Sequence, residues 1–189
     1  LQADDIIVSV DGHKGQSEDL DQFVHYVRGE EGTKITVQYE RDGKTDVVEV
    51  TRAQVEVPSV KYKMLDDAVG YVYLSEFSDN TKDQFEAAMA DLESKGMKAV
   101  IYDLRFNGGG LVDSVTGILD DILPAGTTVY MEDKNGERTT YTSDDEKQIN
   151  MPMVVLTSGN TASAAEIFAG AIRDFDYGTL IGTKTFGKG

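Results

Sequence analysis

Cysteine is missing from all 189 residues. Its absence excludes disulfides, thiolate metal sites and cysteine nucleophiles, and leaves the cellular compartment open. Histidine is nearly missing as well. His13 and His25 are the only two, both near the start of the chain, so a nucleophile in the later part needs another base within its own domain. No apolar run reaches the roughly 18 residues of a membrane span, and no secretory leader is present. Leu1 is not an initiator residue, so both absences are compatible with a segment cut from a longer chain. Clustered Lys and Arg are missing too. The formal net charge is −16, with carboxylates spread along the chain, which describes an acidic surface and excludes nucleic acid as a partner. No internal repeat and no low-complexity tract interrupts the sequence.

What is present divides into two regions of different character. Residues 1–52 read as small strands around one helix. Asp5 to Val10 is a β-rich run closed by Asp11-Gly12. Ser17 opens a helical pattern with Leu20, Phe23, Val24 and Val27 on one face, stopped by Gly29. Lys34 to Tyr39 and Asp46 to Val50 flank Asp42-Gly43 as a hairpin. Residues 53–68, around Pro58, read as a connector. From 69 to 189 strands alternate with helices, an α/β layer pattern. Val69 to Leu74, Ala99 to Leu104, Met153 to Thr157 and Thr179 to Ile181 read as strands, the middle two as buried ones. Thr81-Lys82-Asp83-Gln84 fits a capping box before a helix that Gly96 terminates. Helices are expected over Leu111 to Leu123 and from about Ala162 to Phe175, and Asn135-Gly136 marks a second hairpin.

Chemistry concentrates at the carboxyl ends of two of these strands, where open α/β sheets place their sites. The first strand runs into Arg105-Phe106-Asn107-Gly108-Gly109-Gly110 and then a helix. Such glycines can expose backbone N–H groups as an oxyanion hole or phosphate cradle, or form a plain tight turn. A Walker A loop is excluded, because no Gly-Lys-Ser/Thr follows. The second strand runs into Gly159-Asn160-Thr161-Ala162-Ser163. Just inside a helix, Ser163 would present its hydroxyl at the sheet end with the next N–H, that of Ala164, pointing the same way. The alternative is a cluster of N-caps. Lys188 stands between glycines in Thr185-Phe186-Gly187-Lys188-Gly189. Lysine becomes a base only when burial destabilises its ammonium, and Lys184 is a rival. Glu166 complements the helix macrodipole or orders the serine loop; the first reading is the simpler. The acidic pairs at Asp120-Asp121 and Asp144-Asp145-Glu146 lack metal-ligand spacing and read as solvated charge.

Together the blocks resemble the C-terminal processing peptidases, the tail-specific serine peptidases of family S41. Asp103-Leu104-Arg105-Phe106-Asn107-Gly108-Gly109-Gly110-Leu111 is similar to the family's D-L-R-x-N-x-G-G-L, Thr161 to Ile167 to its S-A-S-A-S-E-I, and Thr185 to Gly189 to its T-F-G-K-G. Ser163 and Lys188 are 25 residues apart, the separation of the family's dyad. Residues 1–52 resemble the later part of a PDZ domain, with Asp4 where glycine is usual. The resemblance implies an α/β fold, α+β overall, with a partial PDZ-like domain before an S41/crotonase-like core at 69–189. It implies a Ser163 nucleophile, a Lys188 general base, and an oxyanion hole from Ala164 and one N–H among Gly108, Gly109 and Gly110. It further implies proteins or peptides recognised by their C-termini, no cofactor or metal, and the bacterial cell envelope as location. The family's Gln after the lysine and its following strands are absent, so an internal piece of a larger peptidase is expected, inactive by itself and able to pair its open edges as a homo-oligomer. Two alternatives stay open: a non-catalytic module holding C-terminal peptides, and a crotonase-like acyl-transfer fold.

Overall fold

The computed structural model describes residues 1–16, 19–53, 57–144 and 146–188. The chain forms two compact units, Leu1–Glu56 and Val57–Gly189.

The first unit is a four-stranded antiparallel sheet of β1 (Ile6–Val10), β2 (His13–Lys14), β3 (Lys34–Arg41) and β4 (Lys44–Thr51), in the order β2-β1-β3-β4. Asp42 and Gly43 both take positive φ, 51° and 72°, as a two-residue turn between twisted strands requires. Val10, Ile35 and Val37 form its small core, with Phe23 and Tyr26 of helix α1 (Leu20–Val27) packed on it. The expected start of α1 at Ser17 lies outside the described residues; Asp19 caps the helix, accepting from the Asp21 N–H. At its other end the Arg52 guanidinium donates to the Tyr26 and Val27 carbonyls, satisfying groups that a helix C-terminus leaves unpaired.

The second unit is built on a five-stranded sheet in the order β11-β10-β7-β6-β5. Its members are β5 (Val60–Met64), β6 (Val69–Leu74), β7 (Ala99–Asp103), β10 (Met153–Thr157) and β11 (Thr179–Gly182). β6, β7, β10 and β11 are parallel, and β5 joins the edge antiparallel to β6. The expected connector at 53–68 therefore contains a strand of the main sheet, and its residues 54–56 lie outside the described residues. Helices α2 (Thr81–Ser94), α3 (Val112–Ile122) and α4 (Ala164–Asp174) link the strands, and β8 (Gly126–Glu132) with β9 (Arg138–Ser143) forms the second hairpin.

Side chains alternate between buried and half-buried along β6, β7 and β10; β7 and β10 are therefore not the strands buried throughout that the sequence suggested. The period of two follows from the pleat. On the buried face, Val72, Leu74, Val100, Tyr102 and Val155 meet Phe85, Leu92, Ile118, Ile122, Phe168 and Ile172 of the helices. Tyr102 packs against Phe85 and edge-on against Phe168, with ring centroids 5.9 and 5.4 Å apart. Phe168 is fully buried and projects from the helix that carries Ser163 at its start. Phe168→Ala is expected to lower the unfolding free energy by about 3–5 kcal/mol, read as a reduced urea midpoint at unchanged slope.

The capping box expected at the start of α2 does not form. Asn80 occupies the N-cap position, and the Gln84 carbonyl accepts from the backbone N–H groups of Ser59 and Val60. Thr81 instead accepts from the Ser78 N–H and bonds the Ser59 hydroxyl. These polar side chains anchor the start of β5 to the helix, a use that one-dimensional spacing does not reveal.

Candidate active site

β7 and β10 are parallel neighbours in register, Leu156 opposite Asp103, so their carboxyl ends lie side by side. The glycine loop leaves one and the serine loop the other. The Asp103 carboxylate, 2 % exposed, takes Arg105 through Nε and Nη2 and accepts the Tyr71 hydroxyl. Burial raises its pKa, but the guanidinium and the phenol outweigh burial and hold it below the usual carboxylate value.

Two buried polar residues join the loops. Asn107, fully buried, donates to the Leu74 carbonyl at 3.0 Å and accepts from the Gly109 N–H at 2.8 Å. Its own carbonyl accepts from the Ala162 N–H. Thr161, also fully buried, donates to the Leu104 carbonyl at 2.6 Å and accepts from the Ser158 N–H. In the sequence both appear only as positions within the resembling blocks, with Thr161 also a capping-type residue; neither signal says that they join the two loops.

Gly109 lies against the serine loop. A Cβ there would stand 2.7 Å from Ser163 Cβ and 2.8 Å from the Ala162 carbonyl oxygen, at φ 106°. Gly110 forms a bridge to Phe77, and a Cβ on it would fall 2.1 Å from the Phe77 carbonyl oxygen. These glycines are therefore packing requirements as well as sources of N–H groups. Gly110→Ala is expected to destabilise the protein by more than about 2 kcal/mol, seen as a lowered thermal midpoint. The clash is with backbone, which cannot rotate away, so folding suffers first. Within the glycine loop the Gly109 N–H is already engaged by Asn107. Among the described residues, the N–H groups of Gly108, Gly110 and Ala164 have no acceptor.

Ser163 is the N-cap of α4 rather than a residue inside it, with φ 55° and ψ −123°. A non-glycine residue in this region is strained by about 1–3 kcal/mol, and the bonds on either side hold it there. The half-buried serine stands at the positive end of the helix dipole.

Glu166, one turn on, does more than offset that dipole. One oxygen, Oε2, accepts both the Ser163 N–H at 2.9 Å and the Lys188 N–H at 2.8 Å, while Oε1 accepts the Gly187 N–H at 2.6 Å. Partial burial raises its pKa, but the Thr185 hydroxyl and the N–H groups of Lys188, Gly187 and Ser163 together hold it below the ordinary value. The Phe186 N–H donates to the Thr161 carbonyl at 2.9 Å. Residues 186–188 are thus tied to the serine loop and the first turn of α4 through three backbone N–H groups, and the backbone N–H groups of Ser163 and Lys188 share one carboxylate oxygen. The Lys188 side chain is exposed, without the burial that makes a lysine a base. Lys184 is exposed too, and its backbone has no such tie to Ser163 among the described residues. His13 stacks on Tyr26 in the first unit, ring centroids 3.7 Å apart. Asp121 is buried and paired with Lys82 and Lys147, not solvated; Asp145 lies outside the described residues. Among the described residues no cluster of acidic residues or histidines could hold a metal.

A hydroxyl at a strained helix start, a lysine backbone beside it and unengaged N–H groups around it can support acyl transfer through an attacked carbonyl. The comparisons with known proteins agree in kind. The chain is 37 % identical to a carboxyl-terminal-processing protease of Synechocystis over its whole length, covering 46 % of that protein. It is 33 % identical to the carboxy-terminal processing protease CtpA of Bacillus subtilis, over 98 % of this chain and 40 % of the relative. Among solved structures, a photosystem II D1 C-terminal processing protease matches all of this chain and 53 % of its own, with 30 % identity and a TM-score of 0.65. The chain thus spans about half the length of these relatives or less. The sequence pattern of Peptidase family S41 matches residues 68–189, which include the glycine loop, the serine loop and the lysine segment, and the chain belongs to that family.

Proposed function

We propose that the protein is a serine endopeptidase that cuts proteins near their C-termini, with Ser163 as nucleophile and Lys188 as its general base. The observation that carries this reading is the shared Glu166 oxygen, which brings together the backbones of two residues 25 apart in sequence. In the reaction the Lys188 amine takes the Ser163 proton as Oγ attacks the scissile carbonyl, and later returns it to the leaving amine. The Ala164 N–H, with Gly108 or Gly110, receives the charge that develops on the carbonyl oxygen. A peptide laid across the loops would cover the exposed Lys188 amine and exclude water from it. Recognition of a substrate C-terminus falls to the first unit, read as PDZ-like, through an edge of its sheet.

A bacterial, extracytoplasmic setting goes with this reading, supported by the bacterial origin of the relatives. Among the described residues no helix is long and apolar enough to cross a membrane. A match to a peptidase family over residues 68–189 does not favour the acyl-transfer alternative. The test is cleavage of an unstructured protein such as β-casein by the full-length protein, compared with its Ser163→Ala and Lys188→Ala forms; unchanged cleavage by either would remove the dyad.

A further inference from the structure

Beside the glycine loop, at the start of α3, lies a cleft of about 550 Å³. Leu111 and Val112 line it on one side. Leu111 follows Gly110 and is 46 % exposed. Gly109, which touches Ser163, is two residues away, a span of about 7 Å in extended chain. The cleft is therefore within reach of a substrate side chain two or three residues from the reacting carbonyl.

The unpaired charges that line it are of one sign. Asp79, Asp83 and Asp113 contribute exposed side chains, and none of the three carboxylates has an ion-pair or hydrogen-bond partner among the described residues. The lysine in the wall, Lys82, is already matched by Glu86 at 2.7 Å and Asp121 at 2.5 Å. Asp83 and Asp113 sit in the first turns of α2 and α3 and complement those dipoles. Two half-charges offset about one of three negative charges, so the cleft stays anionic. A second observation comes from Ser114. It is 8 % exposed and stands in the cleft wall, and its buried Oγ has no hydrogen-bond partner among the described residues, which is unusual for a buried hydroxyl.

We propose that this cleft is a specificity subsite for a lysine or arginine side chain of the peptide substrate, close to the cut bond. The aliphatic stem lies along Leu111 and Val112, as amphipathic cationic side chains prefer. The ammonium or guanidinium reaches the three carboxylates and donates to Ser114 Oγ, and Tyr141 offers a ring face to the cation. The inference deepens the peptidase reading and depends on it for the identity of the ligand.

The test uses labelled heptapeptides that carry one lysine, or norleucine as its uncharged equivalent, at successive positions. Binding to full-length Ser163→Ala protein is read by fluorescence anisotropy, and cleavage by the wild type is followed separately. Lysine is expected to tighten binding about tenfold over norleucine at low salt, summed over three exposed carboxylates, at positions within three residues of the bond cut. The advantage should shrink as salt rises and vanish in Asp79→Asn/Asp83→Asn/Asp113→Asn. Equal binding of the two peptides overturns the proposal. So does a lysine advantage that survives the triple change in a protein with normal thermal midpoint, or one that ignores salt in the wild type. Discrimination in binding without any cleavage by the wild type would keep the subsite and sink the peptidase reading; cleavage without discrimination would do the reverse.

Discussion

Ser163→Ala is expected to lower turnover of an unstructured protein by about four to six orders of magnitude, as loss of a serine nucleophile does elsewhere, with only a modest fall in thermal midpoint. In the proposed mechanism the hydroxyl is the attacking group, and its removal leaves only binding and the N–H donors around it. The stability cost should be limited to that of an N-cap, about 0.5–2 kcal/mol, because the backbone bonds holding residue 163 come from its N–H and its neighbours. Lys188→Ala should fall nearly as far. Lys188→Arg should also fail although it keeps the charge, since a guanidinium does not give up its proton at working pH. Lys184→Ala should stay active and so separates the two lysines. Initial rates on β-casein at matched concentrations of folded protein decide the matter. Appreciable cleavage by Lys188→Arg would show that no deprotonated amine is needed there, and the base would have to be sought elsewhere.

Glu166→Gln is expected to lose about 10²–10³ in turnover at nearly constant KM, although Glu166 is proposed as a positioning residue and not as a reacting one. The carboxylate offers acceptors only, and three backbone N–H groups point at it. An amide turns one of its two ends into a donor, so at least one N–H then faces another. Either Ser163 or the 187–188 backbone must shift, and a displacement of about 1 Å in a reacting group can cost 10²-fold. The pH dependence gives a second readout. Glu166 has a folded-state pKa below its unfolded one, so its contribution to stability is complete above the ordinary glutamate range. It is lost as pH falls through the depressed folded value. The stability gap between wild type and Glu166→Gln should therefore be constant near neutrality and close on acidification. A gap that widened towards acid would contradict this assignment, and a variant with full turnover would reduce Glu166 to a dipole complement.

The sequence by itself determined the alternation of strands and helices in the second unit, the two hairpin turns and the two loops at strand ends. Each is written in local periodicity or in turn residues whose backbone preferences act over a few positions. It also determined the family, because three blocks of unusual composition occur in order at fixed spacing. Only the tertiary structure decided what Glu166, Gln84 and Asn107 do. Their partners are 22, 25 and 33 residues away in sequence, and a polar side chain near a helix start has the same local signature whether it caps its own helix or ties down a distant loop. Tertiary packing likewise placed residues 60–64 in the main sheet, since an edge strand with three exposed positions of five carries little hydrophobic pattern. It took the Gly109 N–H out of the free donor set and left Lys188 exposed. Burial and hydrogen-bond geometry belong to the folded arrangement of several segments and to no one of them, so composition around a lysine or a glycine cannot specify either.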